Sequence, residues 1–114
     1  MAIVVASANT LSLTTGTKSS DQVTGRNQYI GKGRIQLVHR ASTAAATGIR
    51  CTLNVGGVAL MDDQYVAFAG ATGALSIKDH MQVDQQVAGG RVELFYRNDS
   101  AGTLTVDYLL LFTP

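Results

Sequence analysis

The sequence predicts an all-β protein, an antiparallel sandwich or barrel built from about eight short strands. Apolar and polar residues alternate through several runs, which is the pattern of a strand with one buried face. Glycine and polar turn residues separate these runs at the spacing of roughly 8–12 residues that is typical of sandwiches and barrels. With 114 residues the chain predicts one domain, 1–114. Within it, 1–33 form an N-terminal strand or arm with a long basic loop, and 34–114 form the sandwich core.

The first part of the chain predicts a broken strand and a long loop. Ile3 to Ala6 is apolar and Thr10 to Thr15 alternates, so both suit strands, or one strand broken near Asn9, or an extended arm. The segment from Gly16 to Gly33 is polar and glycine-rich, with three basic residues against one acid. Loops of this length are usually functional or disordered. We interpret it as a surface loop or as an arm held against the domain.

The middle of the chain contains the clearest strand patterns. Arg34 to Arg40 alternates, and a loop of small residues, Ala41 to Thr47, separates it from the regular alternation of Gly48 to Val55. The Gly56-Gly57 pair then predicts a tight hairpin turn. We therefore expect Val58 to Met61 to pair antiparallel with the strand before the turn.

The next segment is harder to assign from its pattern. Asp62 to Gln64 predicts a polar corner, Tyr65 to Phe68 a further short run, and Gly70 to Gly73 a loop. Ala74 to Met81 fits a short helix or a strand equally well. Met81 to Val87 alternates again and predicts a strand.

The C-terminal stretch, Arg91 to Pro114, contains the longest apolar alternation in the chain. Two alternating runs flank the segment from Asn98 to Gly102, whose residues bond their own backbone or tolerate positive φ. The pattern predicts a β-hairpin at the centre of the all-β core. Its buried face would carry Val92, Leu94, Tyr96, Leu104, Val106, Tyr108, Leu110 and Phe112.

The charge composition argues against a protein dedicated to binding nucleic acid. Nine Lys and Arg residues oppose eight Asp and Glu residues, which is far from a basic excess. Residues 1–50 have six basic residues and one acid, a net charge of +5, and residues 51–114 have three and seven, a net of −4. Such segregation suits association between copies or docking on an acidic surface, unless folding interleaves the two sets.

No residue pattern indicates catalysis, a metal site or a cofactor. His39 and His80 are the two histidines, and neither lies in a metal-ligand spacing. The single cysteine, Cys51, precludes an internal disulfide and shares the apolar face of its strand, so we interpret it as a small buried hydrophobe. We expect no enzymatic activity.

The N-terminal segment lacks the features of a targeting or membrane-spanning sequence. No basic residue precedes its apolar run, and the run is too short to cross a bilayer. We therefore expect no membrane partner, and a protein that stays in the cytoplasm of the cell that makes it until assembly or lysis.

The order of elements and one local motif resemble a known class of proteins. A strand, a small-residue loop, a strand, a Gly-Gly turn, a strand and an acidic corner follow one another between Arg34 and Gln64. The C-terminal run has the pattern R-V-x-L-x-x-R-N, followed by a small polar turn and an apolar strand. The motif residues are Arg91, Val92, Leu94, Arg97 and Asn98. Over residues 34–114 the chain resembles small jelly-roll structural proteins of bacteriophage virions, particularly head-decoration (cement) and auxiliary capsid proteins.

The resemblance implies a jelly-roll-like two-sheet sandwich that lies on the capsid surface of the virion and bridges subunits of the major capsid protein. It also implies a homo-oligomer, most often a trimer. For contacts we expect apolar residues of the N-terminal arm and basic residues of the loop. These are Ile3, Val4, Val5, Leu11, Leu13, Lys18, Arg26, Lys32 and Arg34. A chain without residues 1–15 should then still fold but no longer dock.

Two alternatives stay open. The protein could be the main shell subunit of a small virus, although such subunits usually carry a basic arm and the first seventeen residues contain no Lys or Arg. It could also be a fibre tip or a carbohydrate-binding module, with Tyr65 or Tyr96 against the sugar. The absence of tryptophan and the low aromatic content argue against sugar stacking.

Overall fold

Eight strands form two four-stranded antiparallel sheets with a shared hydrophobic core. The computed structural model describes residues 2–24, 28–42, 48–68, 75–100 and 102–114, with backbone only at residues 9 and 10. The strands are β1 (Ile3–Leu13), β2 (Tyr29–Ile30), β3 (Gly33–Ala41), β4 (Ile49–Val55), β5 (Val58–Tyr65), β6 (Met81–Val87), β7 (Gly90–Asn98) and β8 (Leu104–Thr113). Sheet A has the order β1-β8-β3-β6, and sheet B has the order β2-β7-β4-β5. The predicted all-β antiparallel sandwich is confirmed, with the strand order of an eight-stranded jelly roll.

The core is built from the alternate apolar residues that mark the strands in the sequence. On β4 every second residue from Ile49 to Val55 is buried, and on β7 the buried residues include Val92, Leu94 and Tyr96. Because each fully buried large aliphatic side chain contributes roughly 1.5–3 kcal/mol, these alternate positions supply most of the drive for the two sheets to close on each other.

The predicted C-terminal hairpin is wrong, because β7 and β8 lie in different sheets. β7 pairs with β4 and β2, whereas β8 pairs with β1 and β3. Alternation of apolar and polar residues identifies the buried face of a strand but not its partner. Two strands show the same alternation whether they pair in one sheet or face each other across the core. Asn98 holds the corner between the sheets: its Nδ2 donates to Leu13 O and Gly102 O at 2.8 Å each, and its Oδ1 accepts from Ser100 N.

The predicted hairpin between β4 and β5 is confirmed. Val55 pairs with Val58 around a turn in which Gly56 and Gly57 have φ of 59° and 83°. Two positive φ values in succession define the turn type that matches the twist of a two-residue hairpin, and glycine adopts them without strain.

The predicted polar corner at Asp62 to Gln64 is wrong, because β5 continues through it to Tyr65. The register of β5 against β4 shifts here, and Asp63 has a φ of 51°. A bulge therefore absorbs the irregularity that the polar residues suggested. The separate run predicted at Tyr65 to Phe68 is also wrong, since its first residue ends β5 and no strand covers residues 66–68.

The N-terminal segment is an edge strand of sheet A rather than a projecting arm. β1 pairs with β8 from Ile3↔Phe112 to Leu13↔Leu104, and its register shifts between Val4 and Ala6 and again between Ala8 and Leu11. The second shift confirms a break near position 9. β1 therefore belongs to the sandwich, and Val5 and Leu13 are part of its hydrophobic core.

The polar segment that follows β1 is held against the open edge of β7. Ser19 N donates to Tyr96 O at 2.7 Å and Gln22 N donates to Leu94 O at 2.8 Å. The Asp21 carboxylate accepts from Leu94 N and Val23 N at 3.0 Å each. The sequence left two alternatives for this segment, a surface loop or an arm held against the domain. In its described part, the segment is an arm held against the domain.

The ambiguous segment before β6 is neither helix nor strand in its described part. Ile77 to Asp79 form a turn, and β6 begins at Met81. The loop predicted at Ala41 to Thr47 starts later than expected, because Ala41 ends β3. The rest of it from residue 43, and the loop predicted at Gly70 to Gly73, lie outside the described residues.

Candidate functional site

β1 presents one outer edge of sheet A. It is eleven residues long and is the terminal strand of its sheet, with β8 on its inner side. The first seventeen residues of the chain contain no charged side chain. Since edge strands carry backbone donors and acceptors on their outer side, this edge is a surface suited to pairing with another strand.

The five apolar residues proposed for contacts in this segment divide into two groups. Val5 and Leu13 are buried, at 7% and 5% exposure, and Leu11 packs half-buried against the same core. These three side chains hold β1 to its own domain. Ile3 and Val4 are 45% and 49% exposed, so these two are accessible to a partner.

Four of the five large hydrophobic residues that are exposed in the described chain lie at one end of the sandwich. Two are at the start of β1, one is on β2 and one is at the start of β5. The register places all four beside the end of β8, the start of β7 and the β4–β5 turn. We call this surface the apolar end, and its residues are Ile3, Val4, Tyr29 and Val58.

The sequence pattern did not identify Tyr29 and Val58, although they are the two most exposed members of the apolar end, at 68% and 61%. A signal was present for each of them. Tyr29 is an aromatic residue in an otherwise polar segment, and Val58 directly follows the tight turn at Gly57, where a polar residue is more usual.

The basic residues proposed for contacts do not form one patch. Arg26 lies outside the described residues. The backbone of Lys18 pairs with that of Arg97 in an isolated antiparallel β-bridge. The Lys18 Nζ lies 4.4 Å from the centre of the Phe95 ring. Since the apolar end lies at Arg91, six residues back along β7, Lys18 is about 20 Å from it.

Lys32 and Arg34 lie at the apolar end and differ in their environment. Arg34 forms a two-point ion pair with Asp84 of β6, whose pKa this contact lowers. Lys32 is exposed and lines an open depression of about 390 Å³ with Thr113 and Pro114. Of the described basic residues proposed for contacts, Lys32 therefore has the best geometry for a docking role at this end.

Folding interleaves the two charge sets that are separated in the sequence. Six ion pairs join described residues, and five of them connect residues 1–50 with residues 51–114. The sixth joins Arg97 to Asp63. The charge segregation therefore serves pairing between the halves of one chain.

A polar network covers the outer face of sheet B. Arg97 donates to both oxygens of Asp63, at 3.1 and 2.7 Å, and Arg50 Nε donates to Asp99 at 2.8 Å. The Arg97 guanidinium lowers the pKa of Asp63, and the Arg50 guanidinium lowers the pKa of Asp99. The bulge at Asp63 turns its carboxylate towards β7, so the network fastens the edge strand β5 to the middle of the sheet.

The two tyrosines considered for sugar stacking are engaged within the protein. The Arg50 guanidinium lies 4.3 Å from the centre of the Tyr65 ring, and the Tyr65 hydroxyl donates to Asp99 at 2.8 Å. Tyr96 is fully buried. Tyr96 is therefore closed to a ligand, and Arg50 covers one face of the half-buried Tyr65 ring.

A buried chain of hydrogen bonds crosses the core at His39. Its Nδ1 lies 2.9 Å from the Tyr96 hydroxyl and its Nε2 lies 2.6 Å from Gln82 Oε1. Because Gln82 Oε1 already accepts from Ala67 N, Nε2 carries the proton and Nδ1 accepts from Tyr96. Burial lowers the pKa of His39 to about 4.

The described residues hold no group of three or more His, Cys, Asp and Glu side chains that could bind a metal ion. Cys51 is buried as predicted, and burial raises the pKa of its thiol. His39 is fully buried in the hydrogen-bond chain, which uses both of its ring nitrogens inside the core.

Comparisons with known proteins leave the family open. No protein-family description, no curated protein and no solved structure matches the chain. Within the described ranges there is no helix of sufficient length and apolarity to span a membrane.

Proposed function

We propose that this protein is a virion structural protein, a decoration protein that stabilises a bacteriophage head by bridging subunits of the major capsid protein. The observation that carries the proposal is the strand order of the two sheets. Eight-stranded jelly rolls recur in viral capsid proteins, and also in lectins and cupins.

The interior of the sandwich favours a structural role over ligand binding. Leu37, Leu53 and Leu110 are fully buried between the sheets, in the space that would have to be open to enclose a ligand. The described aromatic rings considered for sugar recognition are used internally. What the domain offers to other molecules is its surface.

The apolar end is the surface we assign to the capsid contact. Tyr29 and Val58 are the most exposed large hydrophobic residues described, and Lys32 adds an accessible cation beside them. A cleft of about 170 Å³ between β5 and β6 lies next to this end, lined by residues that include Leu60 and Val87. Exposed apolar residues gathered at one end suit a surface that is buried in an assembly.

The direct test is the composition of virus particles. Particles are sedimented through a density gradient from a lysate of induced cells that carry the gene, and each fraction is analysed by mass spectrometry. We expect peptides of this chain to follow the major capsid protein across the gradient. Their absence from particle fractions, with the chain present in the soluble fraction, would refute the proposal.

Variants locate the contact, and a gene deletion separates decoration from a main shell role. We expect Val58→Asp to remove the chain from particles and Ile77→Asp to retain it, because Ile77 is 49% exposed but lies in the turn before β6, at the opposite end of the sandwich. The strand order fits a main shell subunit as well. Deletion of the gene should leave particles if the chain is a decoration protein, and no particles if it forms the shell.

A further inference from the structure

We propose that two copies of this chain pair along the outer edges of β1, about a twofold axis, and join their two A sheets into one eight-stranded sheet. The dimer gives a geometry to the self-association expected of the proposed virion protein. Only the biological purpose of the dimer rests on that proposed function. The physical argument depends on β1 itself.

The other three sheet edges carry the protections that keep natural edges from pairing. β2 is only two residues long. β5 contains Asp62 and the bulge at Asp63. β6 exposes Asp84, which is ion-paired to Arg34, and the glutamines that follow it. Short length, charge and bulges are the usual devices for blunting an edge.

β1 differs from these edges. It is the longest strand, and the first seventeen residues contain no charged side chain and no proline. Its protection is limited to the two register shifts, which leave Ala6 to Ala8 as a regular segment between them. An uncharged edge of this length is the one in the described fold that is open to strand addition.

A second copy is the occupant that this edge fits best. Two identical uncharged strands meet without like-charge repulsion, whereas a charged partner strand would find no complement along β1. A surface that pairs with itself requires a twofold axis. An axis through Ser7 brings the register shift before Ala6 opposite the shift after Ala8 of the partner subunit.

This register also gives the exposed end of the strand a partner. With Ser7 on the axis, Ile3 lies opposite Leu11 of the partner subunit, so a residue that is 45% exposed packs against a half-buried one. The resulting unit is a dimer. It replaces the trimer that the resemblance implies, because an edge paired with itself cannot close around a threefold axis.

The first test is a cross-link that reads the register. Ser7 is exposed, and in the proposed pair its Cα lies about 4.5–5.5 Å from that of the partner subunit, a separation that a disulfide spans. We expect Ser7→Cys to form a covalent dimer under mild oxidation, seen on a non-reducing gel. Ser12→Cys is the matched control, since the two copies of that exposed position would be about 33 Å apart.

The second test uses charge. Ser7→Lys places two like charges opposite each other on the axis, whereas Gln86→Lys puts the same charge on the exposed β6 edge. Light scattering at two concentrations should give a dimer for the wild type and for Gln86→Lys, and a monomer for Ser7→Lys.

The outcomes separate this inference from the proposed function. A wild-type monomer at both concentrations, a trimer, or equal cross-linking of the Ser7→Cys and Ser12→Cys variants would overturn β1 pairing. The presence of the chain in virus particles is measured independently. The virion role can therefore hold if β1 pairing is refuted, and β1 pairing can hold if the virion role is refuted.

Discussion

Lowering the pH should destabilise this protein before Asp63, Asp84 and Asp99 protonate, because of one buried histidine. His39 is fully buried and neutral, with its Nδ1 accepting from Tyr96 and its Nε2 donating to Gln82. Its partner Tyr96 lies beside Cys51 and Tyr108, and burial raises the pKa of both of these groups, so they are neutral as well. A proton on Nδ1 would break the bond from Tyr96 and leave a positive charge in an apolar core.

The magnitude follows from the difference in pKa between the two states. The pKa is about 4 in the folded protein and 6.5 in the unfolded chain. Between these values the unfolded state binds more protons, so the free energy of unfolding is full above pH 6.5 and falls as the pH is lowered. At 1.36 kcal/mol per pKa unit, we expect a loss of about 2–3 kcal/mol between pH 7 and pH 4.5.

Urea unfolding followed by circular dichroism measures this loss. At pH 4.5 the ion-paired aspartates stay charged, because the pKa values of Asp63, Asp84 and Asp99 are lowered from 3.8. The variant His39→Gln should lose most of the pH dependence in this window. A wild-type stability that is constant from pH 7 to pH 4.5, or an unchanged slope in His39→Gln, would refute the reasoning.

Three further predictions concern packing. A chain without residues 2–13 should fail to fold, contrary to the expectation from the sequence, because it lacks a core strand and leaves β8 as a bare edge. A cooperative thermal transition of the truncated chain would contradict this prediction. Gly90→Ala should lower the free energy of unfolding by more than Gly57→Ala. Both positions have positive φ, which costs an alanine about 1–2 kcal/mol, but a Cβ at Gly90 would also lie 2.5 Å from Gly56 Cα. Equal urea midpoints for the two variants would refute the argument. The Cys51 thiol should resist a thiol reagent in the native protein and react fully in urea, and a rapid native reaction would show that the thiol is accessible.

The burial pattern of the fold could be predicted from the sequence, and the strand partners could not. Alternation located the buried faces of β4, β7 and β8. Among the eight described strands, the Gly56-Gly57 turn fixed the one pairing between strands that are consecutive in the sequence. The remaining pairings join strands that are distant in sequence. Two successive strands have the same apolar periodicity whether they pair in one sheet or face each other from two sheets. The pattern therefore could not predict that β7 and β8 lie in different sheets.

The surface was harder to predict than the core, for two physical reasons. Charges distant in sequence become ion pairs, so the basic character of the first half is offset by aspartates such as Asp84 and Asp99. Exposure also depends on which ends of strands meet. Tyr29 and Val58 become one surface because β2 ends and β5 starts at the same end of the sandwich, beside the start of β7.

The pairing of β1 with β8 also determines when the protein can fold during its synthesis. β8 lies between β1 and β3, so sheet A has no continuous ladder until Leu104–Thr113 has left the ribosome. The β4–β5 hairpin can form early, whereas the other pairings have to close long loops and are correspondingly slow. Throughout translation the uncharged first strand lacks its neighbour, which is the condition under which nascent chains aggregate. Recombinant yield should therefore rise when synthesis is slowed at low temperature.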